Sequence, residues 1–259
     1  MLAEVRRRLM VCIVRFHEKP KLRDPVLIEG LPRIGLVANI VALHLIRQLG
    51  ARLFGEVYCS SFQNVAIPTE EGSLKFPMSQ LYYHKGTVGE RDLIILYGNT
   101  QALTTRGQYE LCSRILDVAQ EMGCRYVITL GGYRPGREVK EPKLYYAASD
   151  IEVAEEVRSL GAEALRGQIF GVAGLLIGLG KLLGMRGFCL LAETPGTRPD
   201  VDAAREVLKG ISRVLGLRVS LDGVEEAVKA LDVAKPFKWM FQPERRTGRE
   251  RGTEPEWFI

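Results

Sequence analysis

Short apolar runs alternate with longer amphipathic stretches along the 259 residues of this chain. The nearly unbroken apolar runs are typical of strands buried on both faces of a parallel sheet. The amphipathic stretches repeat apolar residues at helical spacing. The predicted strands are 11–16, 26–28, 53–59, 92–97, 126–130 and 188–192. The predicted helices are 35–49, 108–122, 200–215 and 222–231, the last two opened by Asp200 and Asp222 as N-caps.

Strands that alternate with helices predict a mostly parallel sheet with helices on both faces. We therefore expect a three-layer α/β/α sandwich, in one domain over residues 1–234. Residues 61–89 depart from the pattern, with prolines, glycines and paired acidic residues, and predict a hairpin or long excursion from the sheet. From 235 to 259 the chain is charged, poor in aliphatic residues and punctuated by Gly and Pro, which predicts a loosely ordered tail.

Composition narrows the class of protein. The net charge of +5 lies mostly at the two ends of the chain, which argues against a nucleic-acid binder. The longest uncharged apolar stretch, 168–180, is too short to span a bilayer, and we expect a cytoplasmic protein without a membrane partner. The cysteines at 12, 59, 112, 124 and 189 are scattered, so we expect reduced core thiols and no metal site.

Glycine-rich turns follow several of the predicted strands. Gly30 and Gly35 bound a strand-to-helix turn, Gly131 and Gly132 end the strand at 126–130, and Gly171 and Gly174 begin a glycine-rich helix. We interpret these glycines as tight turns and close packing sites. A phosphate-binding role is the alternative for 30–35 and for 171–184, but neither of these two segments matches the spacing of a known phosphate loop.

Catalytic chemistry has few candidates. Glu193 follows a strand at the edge where α/β sheets bind ligands, and it is the one carboxylate worth testing for catalysis. The three histidines are far apart in sequence and have no nucleophile motif beside them. We therefore expect a non-enzymatic protein without a catalytic residue or a cofactor.

The end of the chain has a different character from the rest of the tail. Trp257, Phe258 and Ile259 are apolar residues at an otherwise polar terminus. Aromatic anchors dominate binding hot spots, and a terminal carboxylate can be recognised by a partner lysine. These three residues predict a docking peptide that binds a partner protein.

Four motifs, in order, resemble the proteasome-assembly chaperone family found in archaea and some bacteria. They are Gly-Leu-Pro-Arg-Ile-Gly-Leu-Val at 30–37, Thr-Leu-Gly-Gly-Tyr at 129–133, Ile-Phe-Gly-Val-Ala-Gly-Leu-Leu at 169–176 and Glu-Thr-Pro-Gly at 193–196. Arg33 stands where the family motif has a glycine.

The resemblance implies a nucleoside-phosphorylase-like fold and a homo-oligomer that binds proteasome α subunits or the assembled core particle. It also implies that a terminal hydrophobic–tyrosine–any motif inserts between α subunits; here Phe258 replaces the tyrosine. The fold analogy leaves an alternative, a phosphorylase-like or ATP-dependent carboxylate–amine ligase enzyme, which fold alone does not establish.

Overall fold

The computed structural model describes residues 12–69 and 71–231. A short 3-10 turn at Ile34–Leu36 directly precedes the first helix. The strands are β1 Ile13–Phe16, β2 Val26–Gly30, β3 Arg52–Tyr58, β4 Ile67–Pro68, β5 Leu74–Lys75, β6 Ser79–His84, β7 Leu93–Gly98, β8 Tyr126–Tyr133, β9 Leu144–Ala148, β10 Glu163–Ala164 and β11 Arg186–Glu193. The helices are α1 Val37–Gln48, α2 Thr105–Glu121, α3 Ile151–Arg158, α4 Val172–Leu182, α5 Val201–Leu215 and α6 Val224–Lys229.

The main sheet is mixed, so the prediction of a mostly parallel sheet is wrong. Its order is β1-β3-β6-β7-β2-β8-β11-β9-β10. The four central strands β7, β2, β8 and β11 are parallel to one another. Antiparallel strands flank them, with β6 against β7 on one side and β9 against β11 on the other. The buried apolar runs identified the centre of the sheet, whereas the flanking strands have mixed polarity.

Helices cover both faces of the sheet, as predicted. Helices α1, α3, α5 and α6 pack on one face, where Val26 and Ile28 of β2 point. Helices α2 and α4 pack on the other face, where Leu27 points. This alternation along β2 is the ordinary period of a strand, and both sides of the strand are apolar because both are covered.

Two of the predicted local features have clear outcomes. The excursion at 61–89 contains a separate ribbon, β4 paired antiparallel with β5, before β6 rejoins the main sheet. Asp200 caps α5 by accepting a hydrogen bond from the Ala203 amide, as predicted. Asp222 does not cap α6, because Gly223, in a left-handed conformation, occupies the N-cap position.

The expectation that all the cysteines are reduced is wrong. Cys12 and Cys59 form a disulfide, while Cys112, Cys124 and Cys189 are free and buried. The antiparallel register of β1 and β3 pairs Ile13 with Tyr58, which places the next residues outward, Cys12 and Cys59, opposite each other. Their separation of 47 positions hides this relationship in the sequence. Over residues 12–69 and 71–231, every helix is too short or too polar to cross a lipid bilayer.

Candidate functional site at the carboxyl ends of the parallel strands

The central strands end at one edge of the sheet, where side chains and turns from each strand meet. Asn39, fully buried in α1, joins two of these ends. Its side-chain amide donates to the carbonyl of Gly30 at 3.0 Å and to that of Gly98 at 2.9 Å. The ends of β2 and β7 are therefore held together by one buried side chain.

The turn after β2 packs directly on the ends of β8 and β11. A Cβ atom on Gly132 would lie 2.5 Å from the Ile34 carbonyl oxygen and 2.6 Å from Thr194 Cγ2. The neighbouring Gly35 has a φ of 64° and accepts a hydrogen bond from the Asp200 amide at 2.9 Å. Three of the four motifs thus contact one another with no room for a side chain between them.

We expect Gly132→Ala to destabilise the protein. The added methyl group would meet backbone on one side and Thr194 on the other, and overpacking of this kind costs about 1–3 kcal/mol. Urea unfolding monitored by circular dichroism measures the change. Gly178→Ala is the matched control, because a Cβ atom at that position in α4 meets no atom within 4 Å. Gly178→Ala should be neutral or stabilising by up to ~1 kcal/mol, and equal effects of the two substitutions would contradict this account.

The fourth motif begins helix α4 and rests on the same edge. Gly174 leaves room for the Ile169 carbonyl oxygen, which would lie 2.4 Å from an added Cβ atom. Thr129 of β8 donates to the Ala173 carbonyl at 3.1 Å. Arg33, at the position where the family motif has glycine, extends over Gly171 and donates to the Phe170 carbonyl at 2.5 Å. The arginine therefore links the turn after β2 to the start of α4.

A buried carboxylate that sequence reasoning missed lies beneath this arginine. Glu29 of β2 is fully buried, and its Oε1 accepts a hydrogen bond from the Leu31 amide at 2.9 Å. Its Oε2 has no hydrogen-bond partner among the described residues. Burial raises the pKa of Glu29 to about 7, against the opposing effects of the Arg33 charge and of backbone hydrogen bonds. A glutamate inside the apolar run of β2 was the available signal.

Glu29 belongs to a row of residues across three adjacent strands. The register aligns Glu29 with Thr129 of β8 and Thr129 with Cys189 of β11. Cys189 is fully buried, and burial raises the pKa of its thiol to about 11. The thiol is therefore protonated at neutral pH and is not a nucleophile.

Glu193, the candidate catalytic carboxylate, is fully buried at the end of β11. Its Oε1 accepts hydrogen bonds from Arg137 at 2.6 Å and from the Tyr145 hydroxyl at 2.9 Å. Burial, the hydrogen bond to Glu193 and the charge of that carboxylate together raise the pKa of Tyr145. These contacts attach β9 and the loop after β8 to the end of β11, so Glu193 is engaged within the protein.

Thr194 and Asp200 form a second polar pair at this edge. Thr194 donates its hydroxyl to Asp200 at 2.6 Å and accepts from the Gly196 amide at 3.1 Å. Arg134 donates to the Gly196 carbonyl at 3.4 Å. Throughout the described part of the chain, no group of three or more His, Cys, Asp and Glu side chains is placed to hold a metal ion.

The structure brings the glycine motifs together but leaves the tail unassigned. Trp257, Phe258 and Ile259 lie outside the described residues, as does the rest of 235–259. The geometry at the strand ends is that of a packed junction, in which polar groups bond to the protein's own loops. A partner-binding role for the terminal residues therefore depends on other observations.

Comparison with known proteins bears on the family of the chain and leaves the terminal residues untested. The chain resembles the crystal structure of Pyrococcus furiosus PbaB, an archaeal proteasome activator, with a TM-score of 0.79, 35% identity and coverage of 85% of this chain and 95% of PbaB. It also resembles P. furiosus PbaA, an archaeal homologue of proteasome-assembly chaperone, with a TM-score of 0.71, 26% identity and coverage of 89% and 96%.

Comparison of sequences agrees with these structural similarities. An uncharacterised protein of Methanocaldococcus jannaschii is 32% identical over 213 residues, which is 82% of this chain and 81% of the relative. The PAC2 family model matches residues 27–235, which include all four motifs. On this evidence the chain belongs to the PAC2 family.

Proposed function

We propose that this chain is a proteasome-binding protein of the assembly-chaperone or activator type. The observation that carries the proposal is the similarity to PbaB, an archaeal proteasome activator, at 35% identity over nearly the whole of PbaB. The expected partners are proteasome α subunits or the assembled core particle, in the cytoplasm.

Within this proposal, residues 1–234 act as a single body and 235–259 as a flexible docking tail. Trp257 and Phe258 would supply apolar contacts, and the Ile259 carboxylate would pair with a lysine of an α subunit. A flexible chain of about 25 residues spans roughly 25–30 Å. That length allows a body resting on the α ring to reach a pocket between two subunits.

The role is proposed as binding rather than catalysis. Glu193, Thr194 and Asp200 bond to neighbouring loops of the protein itself, which supports a structural role for the carboxyl edge of the sheet. The phosphorylase-like fold remains a prediction and carries no activity with it. Thermal unfolding in the presence of phosphate or nucleotides tests the enzyme alternative, since a ligand bound by the folded state raises Tm.

Self-association is the second part of the proposal. Several tails on one homo-oligomer would bind one ring together and raise the apparent affinity by ~10²–10⁴ over a single tail, provided that they can engage at the same time. This gain offsets the missing hydroxyl of Phe258, which is worth about 0.5–1.5 kcal/mol if it forms a hydrogen bond.

A binding assay with purified components tests the function. The full chain is immobilised through an N-terminal tag and exposed separately to the core particle and to isolated α subunits from the same organism. Retention of either one supports the proposal and identifies the partner. Retention of neither, at micromolar concentrations and low salt, would contradict it.

A further inference from the structure

An apolar groove runs between helices α2 and α4 on one outer face of the molecule. It encloses about 560 Å³, and its apolar lining comes from Tyr109 and Leu116 of α2 and from Leu179, Leu182 and Leu183 at the end of α4. Leu182 is 82% exposed and Tyr109 is 50% exposed. Large apolar side chains grouped in this way on a surface mark an interaction site.

Charged side chains of alternating sign run along α2 beside the groove. Arg106 and Glu110 form an ion pair of 2.8 Å one turn apart. Arg114 and Asp117 follow on the same face and also line the groove with Glu110. Neither Arg114 nor Asp117 has an ion-pair partner in the part of the chain that the structure describes. Positive and negative groups therefore alternate along the rim.

This order of charges allows α2 to pair with the α2 of a second copy in the antiparallel direction. Glu110 and Arg114 lie four residues apart, about 6 Å along the helix axis. If a second α2 packs antiparallel across a two-fold axis at the level of residue 112, each Glu110 faces the Arg114 of the other copy. A two-fold contact makes every such pair twice. The small side chain of Ser113, close to the axis, permits the two helices to approach.

We infer that the face formed by α2 and the end of α4 binds a second copy of this chain, with the two α2 helices antiparallel. Leu182 of each copy packs into the groove of the other, and two Glu110–Arg114 ion pairs fix the register. This α2–α4 face is a two-fold contact on which a larger assembly can be built. The inference rests on the proposed self-association and is independent of docking by the tail.

The chain's own tail fits the groove less well. A terminal peptide ending in Trp257, Phe258 and Ile259 brings apolar groups and a carboxylate that Arg114 alone would satisfy. Its carboxylate is a like charge beside the acidic groups on the rim, Glu110 and Asp117. A second copy instead brings groups of both signs and matches Glu110 with Arg114, which is the electrostatic complementarity that specific interfaces show.

Charge reversal tests the register in the full chain. Glu110→Arg alone and Arg114→Glu alone each place like charges opposite each other twice, so each should weaken self-association about 10-fold or more. The double variant Glu110→Arg/Arg114→Glu recreates opposite-charge pairs and should return to within about threefold of wild type. Sedimentation velocity over a concentration series gives the association constants, and circular dichroism checks that each variant is folded.

Apolar contacts are tested separately. Leu182→Glu should lower the mass of the assembly by half or more at micromolar concentration, because it places a charge in the partner's groove. Ile151→Glu is the matched control, since Ile151 is 72% exposed on α3, which packs on the opposite face of the sheet. Oxidation of the Ser113→Cys variant should produce a covalent dimer, because the two positions lie near the axis.

Each outcome has a defined meaning. Loss of association in both single reversals with recovery in the double variant supports the inference. Association unchanged by the reversals and by Leu182→Glu overturns it while leaving self-association intact. A wild-type chain that is monomeric at tens of micromolar overturns both the inference and the proposed self-association. Loss of association in a chain ending at residue 234 would show that self-association depends on the tail, and would also overturn the inference.

Discussion

Removal of residues 257–259 is expected to abolish retention of the proteasome core particle. The apolar anchors and the terminal carboxylate are lost together, and each tail of an oligomer loses them at once. Because every tail of the oligomer then lacks its contacts, the avidity is lost and the apparent affinity for the core particle should fall by ~10²-fold or more. Surface-immobilised core particle with the full chain and the truncated chain as analytes measures the change. Sedimentation of the truncated chain alone should show an unchanged assembly.

Two further variants locate the contribution of the terminus. One alanine added after Ile259 keeps every side chain but moves the carboxylate, and it should weaken binding nearly as much as the truncation. Phe258→Tyr should strengthen binding severalfold if the hydroxyl forms a hydrogen bond worth about 0.5–1.5 kcal/mol. Truncated and extended chains that bind as well as wild type would exclude docking by the tail.

The largest effect expected on stability concerns Glu29 and depends on pH. The pKa of Glu29 is about 7 in the folded protein, because of burial, against an ordinary 4.5. Between these two values the folded state binds a proton that the unfolded state has lost. Stability due to this group is therefore complete below pH 4.5 and falls as the pH rises to about 7. The difference amounts to about 3 kcal/mol, at 1.36 kcal/mol per pKa unit.

Glu29→Gln removes the titration and keeps the shape. The variant should match wild type near pH 4 and be more stable by about 3 kcal/mol above pH 8, since wild type must then bury a charge. Urea unfolding of both proteins across this range measures the difference, in which the other titrating groups cancel. Glu155→Gln, at an exposed position on α3, provides the baseline for the substitution itself. A difference between Glu29→Gln and wild type that does not change with pH would contradict the assignment.

The centre of the sheet and the strands β1 and β3 at one edge were predictable from the sequence, whereas β9 and β10 at the other edge were not. Strands buried on both faces, such as β7 and β8, are continuous apolar runs that are visible directly in the sequence. Strand β9 has two tyrosines and follows a polar loop, and it becomes a strand because β11 offers an antiparallel edge. That choice is made by tertiary contact, which local propensity does not encode.

The candidate site divides in the same way. Glycines at strand ends indicated close packing, and the structure shows which backbone atoms approach Gly132 and Gly174. The link from Arg33 to Phe170 and the Cys12–Cys59 disulfide join residues far apart in sequence. Pairings of this kind follow from strand register and loop position. Neither the strand register nor the loop positions can be read from the sequence of a single chain.

Photocrosslinking from position 258 tests tail docking most directly. Benzoylphenylalanine in place of Phe258 keeps an aromatic group at the end of the chain and reacts with whatever lies beside it in the complex. Irradiation with the assembled core particle should join the chain to an α subunit, and peptide mapping should place the crosslink in a pocket between neighbouring α subunits. Crosslinks confined to the chain's own α2–α4 face, or to another copy of the chain, would contradict docking of the tail on the proteasome.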